Sequence, residues 1–348
     1  MEDLDTRVLR TCARLLNEGR SAILVMVART WGSSPRPPGA LMVLGPDGLT
    51  VGSVSGGCIE DDLVARLREA GPTALCPDGL PQVLRYGIDE DTAHRYGLPC
   101  GGTIELVLEP LGARSRIPAL MDALHAREVV QRDLDLRTGE VTLQAAPHSD
   151  AEPSLSETRF SLVLGPRYRL LVIGAGDLSQ YLCATALGLG FDITVCDPRM
   201  EHRQGWTLSG VSLVSEMPDD VVQAMRPDER TAVIALTHDP RLDDLALMDA
   251  LKTRAFYVGA IGSRLNNQRR RERLREHFDL SKVEVERLRG PAGLYIGSKT
   301  PAEIALSILA EIVAAKNGIA LPAQMQVGHA KNAQDRSPAL LEPSCTRH

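Results

Sequence analysis

The segment 168–199 constrains the fold of this chain more than any other part of the sequence. It runs YRLLVIGAGDLSQYLCATALGLGFDITVCDPR, which is the pattern of a buried strand, a glycine turn, a helix and a second buried strand. An apolar strand at 232–237, a helical stretch at 242–251 and another strand at 255–260 continue the alternation. Strands that alternate with helices form parallel sheets. We therefore predict an α/β fold with a Rossmann-like parallel-sheet domain in this half of the chain.

The glycine turn also raises the question of a bound nucleotide. Gly174 and Gly176 stand where a dinucleotide fingerprint has its first two glycines, which permit a tight turn and close approach to a phosphate. Asp197 ends the second strand, at the position of a ribose-binding acid. Ser179 replaces the third glycine, and Asp177 would either repel a pyrophosphate at the helix end or cap the helix itself. The pattern predicts the fold and leaves NAD(P) binding open.

The amino-terminal part of the chain has a different pattern. Helical spacing covers residues 3–17 and 59–69. Short apolar runs bounded by turn residues predict strands at 21–29, 40–44, 49–54, 103–108, 129–136, 140–143 and 159–164. The second and third of these strands should form a hairpin. We predict an N-terminal α+β domain over residues 1–166, the Rossmann-like domain over 167–320, and a flexible C-terminal tail without periodicity over 321–348.

Composition excludes several classes of partner. A hydrophobic fraction of 43% and a charged fraction of 24% are those of a globular protein in water. The formal net charge of −6 gives no electrostatic reason to bind nucleic acid, and the longest apolar run, at 22–28, is too short to span a membrane. The charged amino terminus has no signal-like apolar segment, and the seven cysteines include no CxxC pair. We expect a reduced, cytoplasmic homo-oligomer.

Two cysteines lie beside glycines. SVSGGCIEDD places Cys58 before a helix-like acidic run, and GLPCGG places Cys100 before a strand. Backbone amides beside such glycines can approach an anion closely; the glycines are Gly56, Gly57 and Gly101. Arg36, in a loop of glycines and prolines, is a candidate anion clamp. The alternatives are that both cysteines are small buried residues in turns, or that they form a reversible disulfide.

Residues at the ends of the later strands are further candidates for the ligand site. His238 follows a buried strand, where it either lines a ligand cleft or caps the next helix together with Asp239. The GAIGS turn ends another strand in the same way and is a second candidate anion site, through Gly259, Gly262 and Ser263.

Two helices near the carboxyl terminus are indicated by the sequence, one by its capping residues and the other by a run of basic residues. Thr300 should cap a helix that begins at Pro301, with Glu303 completing the capping box, and Asn317 and Gly318 should end that helix. Arg264 and the basic run 269–275 indicate a solvated helix face, supported by interleaved glutamates, although recognition of a partner or a phosphate is the alternative. Cys183 and Cys196 lie in a helix and a strand where core packing explains them.

Several long motifs together resemble the XdhC/CoxI family of xanthine dehydrogenase accessory proteins, in order and across most of the chain. The motifs are GSSPRPPGALM (32–42), GSVSGGCIED (52–61), GLPCGGTIELVLEP (97–110), VIGAGDLS (172–179), CDPR (196–199), THDPRLDDLAL (237–247), YVGAIGSRLNNQRRRERL (257–274) and GLYIGSKTPAEIALSILAEIVAAKNG (293–318).

The resemblance implies a cofactor-insertion chaperone more than a catalyst. Family members bind molybdenum cofactor, an anionic pyranopterin with or without an appended nucleotide, and help its sulfurated form into an apo molybdenum hydroxylase of the xanthine or aldehyde dehydrogenase type. A cysteine desulfurase supplies the sulfur. The amino-terminal motifs, with Cys58 and Cys100 as cofactor contacts, would face the Rossmann-like domain across the pterin. Two rival hypotheses are an NAD(P)-dependent oxidoreductase that uses the GAGDLS turn and a protein-interaction adaptor.

Overall fold

The computed structural model describes residues 4–32, 36–87, 103–146 and 152–330. The described residues up to Pro166 form one compact unit, and those from Arg167 onward form another. Two of the predicted site residues, Cys100 and Gly101, lie outside the described residues. Among the residues described, no helix is long and apolar enough to cross a membrane.

The amino-terminal unit combines helices with two antiparallel sheets. Its described helices and strands, in chain order, are α1 (Leu4–Asn17), β1 (Ile23–Trp31), β2 (Leu41–Leu44), β3 (Thr50–Gly52), α2 (Cys58–Ala70), β4 (Gln82–Tyr86), β5 (Thr103–Pro110), α3 (Ile117–His125), β6 (Val130–Asp135), β7 (Val141–Ala145), β8 (Ser154–Leu155) and β9 (Arg159–Leu164). Within the described residues, the strand orders are β3-β2-β1-β5-β4 and β7-β6-β9-β8. The predicted β2–β3 hairpin is confirmed, because these two strands pair antiparallel. Strand β4 and helix α3 were not predicted from the sequence.

Strand β1 is buried on both faces, which explains its continuous apolar run. Leu24 and Met26 pack into a cluster with α1 and the second sheet. Val25 and Val27 pack into the other cluster, against α2. A strand covered on both sides cannot alternate apolar with polar residues. The central strand of the unit therefore has an apolar sequence throughout its buried part.

A buried ion pair joins the two sheets of this unit. One terminal nitrogen of Arg132, on β6, donates to both carboxylate oxygens of Glu109, on β5, at 2.6 and 2.8 Å, and to the Ser115 carbonyl at 3.1 Å. Both charged side chains are 1% exposed. Burial, and then the charge of Glu109, raises the pKa of the neighbouring Cys12 to about 12. The pair compensates two charges that neither sheet could bury alone.

The carboxyl-terminal unit is a parallel sheet covered by helices on both faces. Its described helices and strands are β10 (Arg169–Ile173), α4 (Asp177–Gly188), β11 (Asp192–Cys196), α5 (Met200–Gln204), β12 (Ser212–Val214), α6 (Pro218–Met225), β13 (Thr231–Ala235), α7 (Pro240–Ala250), β14 (Tyr257–Ala260), α8 (Arg264–His277), α9 (Lys282–Glu286), β15 (Leu288–Arg289) and α10 (Pro301–Lys316). The strand order is β12-β11-β10-β13-β14-β15 among the described residues, with every pair parallel. This is the predicted Rossmann-like α/β fold. The strand order reverses between β10 and β13, so their carboxyl ends form a topological switch point.

The two faces of the parallel sheet follow the alternation of its strands. On β10, Leu170 and Val172 pack with α4 and α10. Leu171 and Ile173 point to the other face and pack with α6, α7 and α8. Because side chains alternate along a strand, both sets must be apolar for helices to cover both faces.

The end of the described chain differs from the predicted tail. The capping box of α10 is confirmed, since Thr300 and Glu303 exchange hydrogen bonds with each other's backbone N–H groups. Beyond residue 321, however, the chain lies against an earlier segment: Tyr295 donates its backbone N–H to the Met325 carbonyl at 2.7 Å, and Leu294 forms a bridge with Gln326. Main-chain hydrogen bonds need no side-chain periodicity, and so the sequence pattern did not predict this contact.

We expect Arg132→Met to destabilise the amino-terminal unit by about 3–5 kcal/mol, because Glu109 would remain as an uncompensated buried charge. Urea denaturation followed by circular dichroism measures the change. The double variant Glu109→Gln, Arg132→Met should recover most of the loss. Equal destabilisation in the single and double variants would contradict a charge-compensation role.

Candidate ligand-binding site

The glycine turn lies at the carboxyl end of β10. Gly174 has a positive φ of 106°, and a Cβ there would lie 2.9 Å from the Thr237 methyl carbon. A Cβ on Gly176, the N-cap residue of α4, would meet nothing within 4 Å. The first glycine is therefore required for packing against the loop after β13, and the second leaves one side of the turn open. Asp177 is exposed and does not cap α4.

Asp197 is fully engaged inside this site. Its carboxylate is 0% exposed. One oxygen accepts from the Ala175 N–H at 2.9 Å and from an Arg199 guanidinium nitrogen at 2.9 Å. The other accepts from the Arg199 backbone N–H at 3.0 Å and its Nε at 2.9 Å. Burial raises the pKa of Asp197, but the hydrogen bonds from Arg199 and Ala175 outweigh it and leave the pKa below its ordinary value.

Four donors occupy the acceptor capacity of a carboxylate. Asp197 therefore ties the glycine turn to Arg199, and no acceptor site is left for the ribose hydroxyls that the sequence pattern assigned to it. Arg199 keeps 26% of its side chain exposed at the same edge of the sheet. The turn presents a guanidinium group where a dinucleotide site presents an acid.

His238 lies at the carboxyl end of β13, beside this turn. It is exposed and has a left-handed backbone, with φ of 63°. Asp239 alone caps α7, by accepting the Arg241 N–H at 2.9 Å. Of the two predicted roles for His238, helix capping is not found, and its position beside Thr237 keeps it a candidate ligand contact.

The turn after β14 is more closed than the sequence indicates. A Cβ on Gly259 would lie 2.6 Å from the Tyr257 ring, so this glycine is required by packing. Gly262 has φ of 125°. Ser263 caps α8, because its hydroxyl accepts the Asn266 N–H at 3.1 Å. Part of the predicted anion site is thus satisfied by the protein's own side chain.

The basic helix α8 is not wholly solvated, which corrects the sequence prediction. Arg270 is 4% exposed. Its guanidinium pairs with Asp243 at 2.9 Å and with Asp244 at 3.0 Å. Asp243 also accepts the Thr237 hydroxyl at 2.7 Å, and burial raises the pKa of Asp243 despite these partners. A buried network of charges therefore holds α7, α8 and the loop after β13 together.

Sequence reasoning missed this network although a signal for it exists. Helical periodicity places Asp243 on the apolar stripe of α7, with Ala246, Leu247 and Ala250. A carboxylate in an apolar stripe needs a buried cation as partner. The neighbouring basic run supplies it.

In the amino-terminal unit, a loop before α2 surrounds a carboxylate of the protein itself. Glu60 is 8% exposed. Burial raises its pKa, but hydrogen bonds from Ser55 and Ser53 prevail and lower the pKa to about 2. Its hydrogen-bond donors are the backbone N–H groups of Val54, Ser55, Gly56 and Gly57 at 2.9, 2.9, 3.4 and 2.9 Å and the hydroxyls of Ser53 and Ser55.

The amides of Gly56 and Gly57, predicted to be free for a ligand, are therefore taken by Glu60. Arg36 contacts the same loop, since its Nε donates to the Ser53 carbonyl at 3.2 Å. Cys58 begins α2 directly after the loop. Arg36 therefore lies against the loop that contains Gly56, Gly57 and Cys58, and the Glu60 carboxylate occupies the centre of that loop.

Cys183 and Cys196 are both 0% exposed, so the predicted core-packing role is confirmed. Burial raises the pKa of each thiol to about 12. Cys12 and Cys76 are buried as well, with pKa values raised to about 12. In the part of the chain that is described, no group of three or more His, Cys, Asp or Glu residues could hold a metal ion.

We expect Glu60→Gln to cost about 3 kcal/mol at pH 7, because the folded-state pKa of about 2 lies well below the value of 4.5 for an exposed Glu. A depressed pKa stabilises the fold above the unfolded-state value and less as pH falls through it. The difference between wild type and variant should therefore shrink between about pH 6 and pH 3.5.

Urea midpoints across this pH range measure the effect. Asp61→Asn, a change of an exposed acid in the same helix, is the matched control and should leave the pH dependence almost unchanged. A constant difference between wild type and Glu60→Gln at every pH would contradict ionisation as the cause.

Comparison with known proteins agrees with this architecture. The chain matches the XdhC Rossmann domain over residues 170–312 and the XdhC and CoxI family over residues 15–87. It is 28% identical over 309 residues to the molybdenum cofactor insertion chaperone PaoD of Escherichia coli K12, covering 89% of this chain and 88% of that protein. It is 24% identical over 330 residues to a Bacillus subtilis protein named as a probable component of xanthine dehydrogenase, covering 88% and 97%.

A solved structure shares the fold. A protein from Bacillus halodurans, described as a xanthine dehydrogenase, superposes with a TM-score of 0.72 at 24% identity, covering 91% of this chain and 96% of that one. The two matched domains lie in the two compact units described above. The chain belongs to the XdhC and CoxI family.

Proposed function

We propose that this protein binds molybdenum cofactor as cargo and delivers it to a molybdenum hydroxylase of the xanthine or aldehyde dehydrogenase type. The observation that carries the proposal is the similarity, along 89% of the chain, to a molybdenum cofactor insertion chaperone. The extent of this similarity supports the proposal, because the matched 89% of the chain includes residues of both compact units. A likeness confined to the Rossmann-like unit would support only the fold.

The switch point of the parallel sheet does not offer the acid contact that binds the ribose of NAD(P). Ligands of open parallel sheets bind at such points. The acid expected to bind a ribose, Asp197, has its acceptor sites filled by Ala175 and Arg199. The turn at Gly176 stays open to a ligand, and Arg199, although it is paired with Asp197, keeps 26% of its side chain exposed there. The dehydrogenase hypothesis therefore loses the contact on which it depended.

The proposal also assigns sulfur chemistry to the glycine-flanked cysteines. Thiolates suit a soft metal centre, and the buried thiols of Cys12, Cys76, Cys183 and Cys196 stay protonated at neutral pH. We propose Cys58 and Cys100 as the contacts that hold the cofactor while a cysteine desulfurase supplies its sulfur. Packing in turns remains the alternative role for both.

Anaerobic reconstitution tests cargo binding. Purified protein is mixed with molybdenum cofactor and passed over a desalting column, and the pterin that remains bound is quantified by fluorescence after oxidation. We expect near-stoichiometric retention, followed by activation of an apo xanthine dehydrogenase.

Thermal denaturation with millimolar NAD or NADP is the parallel arm, because a ligand of the folded state raises the melting temperature. We expect no rise with either nucleotide. Retention no greater than that of an unrelated Rossmann protein would contradict the proposal, and stabilisation by NAD with no pterin bound would favour an oxidoreductase.

Cysteine variants test the sulfur contacts. We expect Cys58→Ser or Cys100→Ser to reduce activation of the apoenzyme about tenfold or more, because a hydroxyl is a poor ligand for a soft metal centre. Cys345→Ser is the matched control and should behave as wild type. Normal binding and delivery by both variants would remove the two cysteines from the mechanism and leave them as packing residues.

A further inference from the structure

A cleft lies away from the glycine turn, at the carboxyl ends of β14 and β15. It has a volume of about 800 Å³ and is confined to the carboxyl-terminal unit. Its polar lining includes Arg264, Gln268, Arg271, Arg289, Gln326 and His329. Ligand sites commonly measure about 300–1,000 Å³, so the cleft has room for a phosphorylated heterocycle.

The carboxylates that line this cleft already have partners. Glu311 accepts the Tyr257 hydroxyl at 2.8 Å and the Gly293 N–H at 2.7 Å. Glu286 lies 3.8 Å from the ammonium group of Lys282, one helical turn away. Both acids are therefore engaged with groups other than the arginines of the cleft.

Arg271 forms no ion pair with a carboxylate within the described residues. It is partly buried, and one of its terminal nitrogens donates to the carbonyls of Leu288 and Gly290 at 2.9 and 3.0 Å. These neutral acceptors hold the guanidinium in place but leave its charge uncompensated. Burial, and then repulsion from Arg270, lowers the pKa of Arg271.

Arg289, which is exposed at the same cleft, also forms no ion pair in the described parts of the chain. A positioned, partly desolvated guanidinium beside a second arginine is the arrangement that binds phosphate groups, because charge-assisted hydrogen bonds strengthen outside bulk water. Arg132, Arg199 and Arg270 each have a carboxylate partner.

We propose that this cleft binds the phosphate group of a phosphorylated ligand, with Arg271 and Arg289 as its ionic contacts. That the ligand is the molybdenum cofactor rests on the function proposed above; a separate nucleotide has the same chemistry. The glycine turn at β10 and this cleft are then two distinct contact regions on one edge of the sheet.

Isothermal titration calorimetry with inorganic pyrophosphate, in metal-free buffer of low ionic strength, tests the proposal on the full-length protein. We expect binding by the wild type, weakened about tenfold or more in Arg289→Gln, since a hydrogen bond to a charged group is lost. Arg269→Gln removes an exposed arginine of the same helix as Arg271 that does not line the cleft, and should bind as the wild type does. The melting temperature of each variant verifies folding.

Arg271 needs a separate design because it also supports the backbone. Arg271→Lys keeps the charge and should retain more pyrophosphate binding than Arg271→Gln at equal thermal stability. Absence of pyrophosphate binding in the wild type, or equal weakening by the Arg289 and Arg269 variants, would overturn the proposal.

Competition distinguishes the two sources of phosphate. If pyrophosphate lowers cofactor retention in wild type but not in Arg289→Gln, the ligand is the phosphate of the cofactor. If pyrophosphate binds and retention is unchanged, the cleft holds a separate phosphorylated ligand. If the protein retains the cofactor but does not bind pyrophosphate, the proposal that the cleft binds phosphate is wrong and the chaperone proposal stands.

Discussion

The buried pairing of Arg270 with Asp243 and Asp244 holds the carboxyl edge of the parallel sheet in its observed form. Asp243 accepts the Thr237 hydroxyl, and Arg270 also donates to the Ile261 carbonyl at 3.0 Å. The loops after β13 and β14 are thus joined through one guanidinium. Gly174 packs directly on Thr237, so the glycine turn depends on the same network. Removing one charge would leave the others buried without compensation.

Carboxylates of the protein itself occupy two of the loops where a bound anion was expected. Glu60 fills the ring of amides before α2, and Asp197 ties the glycine turn to Arg199. Such loops keep their shape without a ligand, because the N–H groups are already satisfied. The proposed carrier must exist both empty and loaded, and preformed loops of this kind fit that requirement. Arg271 and Arg289, which form no ion pair among the described residues, lie elsewhere, at the cleft beside β15.

Regular elements with strong apolar patterns could be predicted from the sequence, and weakly patterned ones could not. The order of strand, turn and helix around Gly174 and the capped start of helix α10 were both predicted. Strand β4 was missed because Val83 and Arg85 are exposed while Gln82 and Leu84 are only partly buried, which leaves little apolar signal. Residues 321–330 were predicted as part of a tail because they show no apolar periodicity, and the contact they make through backbone groups leaves no such signal in the sequence.

The amino-acid sequence by itself determined the fold class, the glycine turn and the family, because periodicity and motif spacing are local properties of the chain. Only the tertiary structure decided what the charged groups do. Asp197, Glu60 and Arg270 look available in the sequence, yet each is enclosed by donors or acceptors far along the chain or across a loop. Arg271 looks like one more solvated arginine, and only the distances in space show that no carboxylate of the described residues forms an ion pair with it. Electrostatic energy depends on those distances and on burial, which no linear spacing specifies.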